Sequence, residues 1–431
     1  MDSLSPPTPD MLGGIAPRGS SRGATGPYVV ERDNNRTRVL RLLRRHGAMP
    51  RVELGRRTGL SPGAISTITS DLISDGILRE AAEETAMASA RGRPPVNLVF
   101  NPDYACVAAA SMRMGVIDAV IADFQGNILA REMVPCTTRD LRGEDIAGVC
   151  AAAIETVAAR VPGARPATLG MAVQGIVDPV AGRQLWSPIL NIRDIDVVTP
   201  LVKRLQIPVV IENDSAATAL AVAGSDGRLQ EGLAAVLMIG HGVGMGLLQD
   251  GGPFPGTHGF SSEIGHVRRQ PAGAQCRCGQ RGCIEAYLAD YALYRDARSL
   301  TNLPITSNQQ PSEEQMESLV RRAEDGDAML QRLFDEAGTS LADAVRVVAS
   351  VLAPHRIAIA GSGMRGFHLM KKAFEAGLSD SFDPSYDPLS RIVIADGGAQ
   401  RIVEGMVQLA LQRLDTELAN AGTTQSSLQA V

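Results

Sequence analysis

From Asp33 onward, apolar residues recur at helical spacing. Val39, Leu40 and Leu43 share one face of a first helix that stops at Gly47. A short second helix, about 51–58, carries Val52 and Leu54, and Gly59-Leu60 makes a tight turn. Ser61 suits an N-cap and Pro62 the first helical position. A third helix then runs to about Asp75, with Ile65, Ile68, Leu72 and Ile73 inward and Gly76 closing it. Residues 77–80 and 97–100 read as short strands around a loop holding Arg91-Gly92-Arg93-Pro94-Pro95. Three helices with a short turn before the third, then a small hairpin, is the winged helix-turn-helix order.

After Tyr104 the pattern changes to α/β. Strands are predicted at 105–111, 116–122 and 128–134, a helix at 144–160, strands at 169–173 and 209–211, and a helix from Asp214. A similar order restarts with a strand at 233–239, a glycine turn at 240–246 and a strand at 246–249. Helices follow, then strands at 356–360 and 392–395 and a last helix at 400–414. Two similar α/β halves predict a duplicated fold with a cleft between them. The Pro-, Gly- and Ser-rich start reads as a disordered tail, and the polar end from Asn420 as frayed. The expected division is a tail at 1–28, a winged helix-turn-helix at 29–101, a two-lobed α/β domain at 102–414 and a C-terminal tail at 415–431.

Charge separates the two parts. The stretch 32–79 holds ten Arg and no Lys against Asp33, Glu53, Asp71 and Asp75, whereas the whole 431-residue chain is −5. A small basic module on an acidic body suggests a polyanion-binding domain fused to something else. The third helix would enter the major groove of double-stranded DNA. Its outward Ser61, Ala64, Ser66, Thr67 and Ser70 are small enough to let the backbone approach base edges and phosphates. Arg36, Arg44, Arg45, Arg51, Arg56 and Arg57 could neutralise phosphates. Arg91 and Arg93, in an Arg-Gly-Arg-Pro run, suit a narrow minor groove. No apolar run approaches a membrane span, and the start is neither basic nor apolar, so a membrane protein and a secretory signal are not expected. Six Cys are no disulfide framework, and a reducing cytoplasm is the simplest compartment.

Three of those cysteines crowd together. His266 is followed by Cys276, Cys278 and Cys283, with Gly279 and Gly282 permitting the tight loop. One imidazole and three thiols can close a tetrahedral site with no open position, so a structural metal is expected in the loop 266–283, zinc by default. Cys106, Cys136 and Cys150 lie on strand or helix patterns and read as core residues.

The segment from Gly256 to His266, then Cys-x-Cys-Gly-x-x-Gly-Cys-x-Glu, and the run Glu212-Asn213-Asp214-Ser215-Ala216-Ala217 resemble the ROK family (repressors, open reading frames, kinases) over about 33–414. The resemblance is to its sugar-responsive repressors. It implies the actin-like/hexokinase-like, ribonuclease-H-like duplicated fold. It also implies that Asn213, Asp214, Glu263, His266 and Glu285 hold sugar hydroxyls, with His266 serving sugar and zinc through its two ring nitrogens. In family kinases the residue matching Asp214 takes the proton from the sugar hydroxyl. Those kinases have Asp-x-Gly-Gly-Thr between the first two strands, whereas this chain reads Ser111-Met112-Arg113-Met114-Gly115. The acid, the glycine pair and the threonine are all missing, so no kinase activity is expected. His241 replaces a usual Thr in the second glycine turn. Ile189 stands where many members have an Asn facing the sugar.

The expected function is a DNA-binding regulator, a repressor of carbohydrate genes, whose operator binding responds to a sugar in the cleft. A homodimer, or a dimer of dimers, would read two half-sites. The alternatives are a sugar kinase with an appended DNA-binding module, and a regulator whose effector domain binds a protein partner.

Overall fold

The computed structural model describes residues 35–81, 96–254, 263–301, 310–379, 387–395 and 397–428, with no side-chain description for 301 and 421–428. The loop bearing Arg91 and Arg93, and the run 256–262, lie outside them.

The N-terminal module comprises α1 (Asn35–His46), β1 (Met49–Pro50), α2 (Arg51–Thr58), α3 (Pro62–Ser74), β2 (Leu78–Glu80) and β3 (Asn97–Phe100). Ser61 caps α3, its oxygen accepting from the Ala64 N–H at 3.3 Å. Val39, Leu40, Leu43, Leu54, Ile65 and Leu72 are buried together, while Ile68 and Ile73 pack at the edge. The three strands form a small antiparallel sheet in the order β1-β3-β2.

The first lobe of the body follows. It contains β4 (Cys106–Arg113), β5 (Val116–Asp123), β6 (Ile128–Pro135), α4 (Gly143–Ala158) and β7 (Pro166–Val173). A small sheet then holds β8 (Ile176–Asp178), β9 (Arg183–Trp186) and β10 (Ile195–Asp196), before α5 (Val198–Leu205), β11 (Val209–Asn213) and α6 (Asp214–Ser225). The second lobe has β12 (Leu233–Ile239), β13 (Val243–Gln249), β14 (Gly252–Pro253), α7 (Glu285–Leu288), α8 (Asp290–Thr301), α9 (Glu313–Glu324) and α10 (Ala328–Leu352). It ends with β15 (Arg356–Ala360), α11 (Phe367–Ser379), β16 (Ile392–Ile394) and α12 (Gln400–Leu428).

The duplication is explicit in the strand order. The first sheet runs β11-β7-β4-β5-β6 and the second β14-β13-β12-β15-β16. In each, three antiparallel strands are followed by two that add in parallel on the far side of the first strand. Parallel addition needs crossovers, which the helices supply. Successive side chains on β4 serve opposite faces: Val107 and Ala109 pack with α6 and α12, while Ala108, Ala110 and Met112 pack with α4. The helices α6 and α12 form a layer between the two sheets, and both are rich in small residues. Gly405 on α12 lies so close to α6 that a Cβ there would overlap the Ala217 carbonyl.

Two sequence readings change here. The last helix does not end near Leu414 but runs to Leu428, and Asp415 is buried rather than part of a tail. Arg44 does not face outward either. Its guanidinium pairs with Asp415 through bonds of 2.9 and 2.8 Å, donates to the Phe124 carbonyl and lies over the rings of Phe100 and Phe124. Both partners are buried, with side-chain exposures of 8% and 7%. Arg45 is also partly buried, against Gly251. A buried acid on the body out-competes solvent for Arg44, which charge counting along the chain does not reveal. No helix among the described residues is long and apolar enough to cross a membrane.

Candidate functional site

A cleft of about 940 Å³ lies between the lobes, at the large end of the ~300–1,000 Å³ range for ligand pockets. Its floor is the start of α6. Asn213 is the helix N-cap: its side-chain oxygen accepts from the Ser215 N–H at 2.7 Å and the Ala216 N–H at 3.4 Å. Its side-chain nitrogen donates to the Gly175 carbonyl at 2.6 Å, tying the cap to the turn between β7 and β8. The cap role and a place in the cleft wall therefore coexist in one residue.

Asp214 follows at the first helical position, 8% exposed. Burial pushes its carboxyl up to about 6, against the opposing hydrogen bonds from the Gln174 side chain and the Ser215 backbone. Gln174 was not picked out by sequence reading, although it sits just past the carboxyl end of β7, where ligands of open α/β sheets gather. The preceding Glu212 is buried beneath the site and pushed up to about 8 by burial, with one oxygen accepting from the Asn213 N–H.

The opposite wall comes from the second lobe. Glu263 and His266 flank a single turn of tight helix over Ile264–His266, and Glu285 opens α7. All three line the same cleft as Asn213 and Asp214, so the five residues come together from separate parts of the chain. His266 Nε2 lies 3.6 Å from a Glu263 oxygen, while its Nδ1 lies 3.6 Å from Cys276 Sγ. One ring nitrogen thus faces the cleft and the other the cysteine cluster. Glu285 is held in place: one oxygen accepts from Tyr291 at 3.3 Å, and the other from the Val243 N–H at 3.2 Å.

His266, Cys276, Cys278 and Cys283 place one ligand atom each within 4.8 Å of one another. Cys278 and Cys283 sulfurs are 3.8 Å apart. Gly279 and Gly282 take φ of +91° and +81°, which the tight turn between the thiols requires. Among these thiols, burial and the neighbouring Cys276 and Cys278 raise the pKa of Cys283. Cys150 is fully buried in the first lobe, and Cys106 and Cys136 pack at the edge of the same core.

The β4–β5 turn and Ile189 also reach the cleft. Met112 points into the core, so only Arg113 and Met114 of that turn line the cavity. Ile189 lines it too, presenting carbon where an amide would offer hydrogen bonds. Burial lowers the pKa of His241, with Asp290 opposing the shift and the nearby Arg113, Arg277 and Arg365 adding to it.

On the N-terminal module, Ser61, Ser66, Thr67 and Ser70 are exposed along one face of α3, with Ala64 partly covered. Arg51 is used internally: it donates to the Thr69 hydroxyl at 3.1 Å and to Glu80 at 3.1 Å, bracing α2 against α3 and β2. Arg56 and Arg57 share Glu53, and Arg36 pairs with Asp75.

Residues 110–413 match the ROK family, and residues 32–79 match a winged helix-turn-helix DNA-binding family. The DNA-binding transcriptional dual regulator NagC of Escherichia coli (strain K12) is 25% identical over 348 residues, covering 79% of this chain and 84% of that protein. A xylose repressor of Caldicellulosiruptor bescii is 22% identical over 342 residues, covering 78% of this chain and 84% of the relative. A crystal structure of a ROK family transcriptional regulator, a homolog of the E. coli MLC protein, superposes with a TM-score of 0.71 at 24% identity, over 88% of this chain and 96% of that one.

Proposed function

Because the chain belongs to the ROK family and carries a winged helix-turn-helix ahead of that domain, we propose that it is a DNA-binding transcriptional regulator whose operator binding responds to a sugar. The observation that carries this reading is the joining of two sites in one chain. An exposed helix face of small polar side chains stands on one module, and Asn213, Asp214, Glu263, His266 and Glu285 converge on a cleft in the other. Carboxylates and an amide suit a pyranose, whose hydroxyls each donate and accept. The repressors among the relatives favour repression of carbohydrate genes.

Ser61, Ala64, Ser66, Thr67 and Ser70 would meet the major groove. Arg91 and Arg93 remain proposed minor-groove contacts, and Arg51 acts by positioning α3. The chain works as a homodimer or dimer of dimers, since half-sites about one helical turn apart require two copies.

The cysteine cluster holds zinc in this reading. With zinc–sulfur bonds of about 2.3 Å and zinc–nitrogen bonds of about 2.0–2.1 Å, a tetrahedron has edges of about 3.8 Å (S···S) and about 3.6 Å (S···N). The Cys278–Cys283 and Cys276–His266 distances are 3.8 and 3.6 Å. With all four positions filled by protein, the metal would be structural. It would fix the His266 ring and so the cleft-facing nitrogen.

Phosphoryl transfer is not part of this reading. A nucleotide phosphate needs close backbone approach at the β4–β5 turn, and Arg113 and Met114 stand in that space. The test is fluorescence anisotropy with the DNA upstream of its own gene at one fixed salt concentration, across a panel of mono- and disaccharides. Specific binding shifted about tenfold or more by one sugar supports the reading. Sugar-dependent ADP production without specific DNA binding would replace it with a kinase.

A further inference from the structure

Four arginines line the cleft, and their surroundings differ; Arg139 is exposed to solvent. Arg365 donates to Asp290 at 2.7 Å and to both oxygens of Glu313 at 2.6 and 2.7 Å. Arg277 donates to the Gln310 oxygen at 2.7 Å and lies 3.9 Å over the Tyr291 ring. Both are supplied with partners by the protein.

Arg113 is not. Its Nε is buried with no hydrogen-bond partner. Its one carboxylate contact among the described residues, Asp118, is 3.7 Å away. That carboxylate is already committed: Arg131 donates to its two oxygens at 2.9 and 2.6 Å. The Arg113 side chain is 18% exposed, and it reaches the cleft from the end of β4, within electrostatic range of Asp214. A buried guanidinium Nε–H without an acceptor is costly unless something supplies an oxygen. The cavity also has space beyond a single pyranose ring.

We infer that the effector of this regulator carries an anionic group, a carboxylate or a phosphate on the sugar, that docks on Arg113 while the sugar hydroxyls face Asp214, Glu263, His266 and Glu285. This rests on the regulator reading above. Arginine suits either anion, since its planar fork matches carboxylate and phosphate oxygens alike. The turn that in a kinase would admit nucleotide phosphate thereby becomes a cation that selects among sugars.

The experiment is calorimetric titration of the full-length zinc-loaded protein with neutral sugars, each paired with its uronate and its 6-phosphate, and with inorganic phosphate alone. The same ligands are then added to the protein–operator complex. The expected result is at least a tenfold preference for one anionic form over its neutral parent. Arg113→Gln should lose that preference and keep the neutral-sugar affinity, while Arg113→Lys should keep part of it. The uronate and phosphate arms show which anion is read. Operator affinity without ligand serves as the folding control for both variants. Equal binding of neutral and anionic sugars, or a preference that survives in Arg113→Gln, overturns this inference and leaves the regulator reading standing. Operator binding with no response to any sugar, neutral or charged, overturns both. Binding of inorganic phosphate that Arg113→Gln does not weaken places the anion elsewhere and also overturns the inference.

Discussion

Replacing Asp214 by Asn should separate the stability of the protein from its response to ligand. The Asp214 carboxyl is pushed from an ordinary 3.8 up to about 6 because it is buried at the head of α6. The protonated form is therefore the one the fold tolerates. Its stabilising contribution is complete below about pH 3.8 and is lost as pH rises through about 6. The full span is roughly two pH units, or about 3 kcal/mol. Between pH 5 and pH 8, a single-site titration with these two values gives a loss of about 1.4 kcal/mol for the wild type. Asp214→Asn removes the titration. It also places an amide N–H₂ where the carboxylate accepted from Gln174 and Ser215, a cost of about 1–2 kcal/mol at every pH. The stability difference between wild type and variant should therefore shift by about 1.4 kcal/mol toward the variant from pH 5 to pH 8. Urea unfolding of both proteins in parallel measures it, and groups common to the two chains cancel. The variant should retain operator affinity and lose its sugar response. A difference that stays constant with pH would refute the argument that burial raises the Asp214 carboxyl.

Other expectations follow from single contacts. Asp415→Ala leaves Arg44 buried without its partner and should cost about 3–5 kcal/mol. Urea unfolding should show it, with the N-terminal module becoming more open to limited proteolysis. On the proposed zinc reading, atomic absorption should find one zinc per chain, and Cys283→Ser should reduce it to a readily chelated fraction and weaken sugar binding through the loosened His266. Thr67→Glu, on the exposed face of α3, should lower operator affinity at least tenfold. It should leave stability within about 0.5 kcal/mol, as read by anisotropy and thermal melting.

The local elements were legible because they depend on short-range rules. The short apolar runs along 105–111 and 233–239, the Ser61-Pro62 start of α3 and the glycine stops are properties of neighbouring residues, and the structure follows them. The cysteine cluster was legible for the same reason: its three thiols lie within eight positions, and chain geometry alone keeps them near one another. The repeated strand order could be anticipated from the repeated pattern, although the parallel crossovers appear only in the assembled sheets.

What the sequence left open was every question of which charge meets which. Arg44, Arg51 and Arg113 look alike in the chain, yet one is locked to Asp415 371 positions away, one braces two helices, and one reaches the cleft with its buried Nε–H unpartnered. The difference is set by burial and by the third-dimensional supply of oxygens, and neither has a period along the chain. The end of α12 was misread for a related reason: polar residues after Leu414 look like a tail until Arg44 provides Asp415 with a buried partner. Sequence alone determined the modules and the list of chemically able side chains. Tertiary packing decided which of them are spent on holding the fold and which remain available to a ligand, because desolvation makes an unpaired charge costly only once its neighbours are in place.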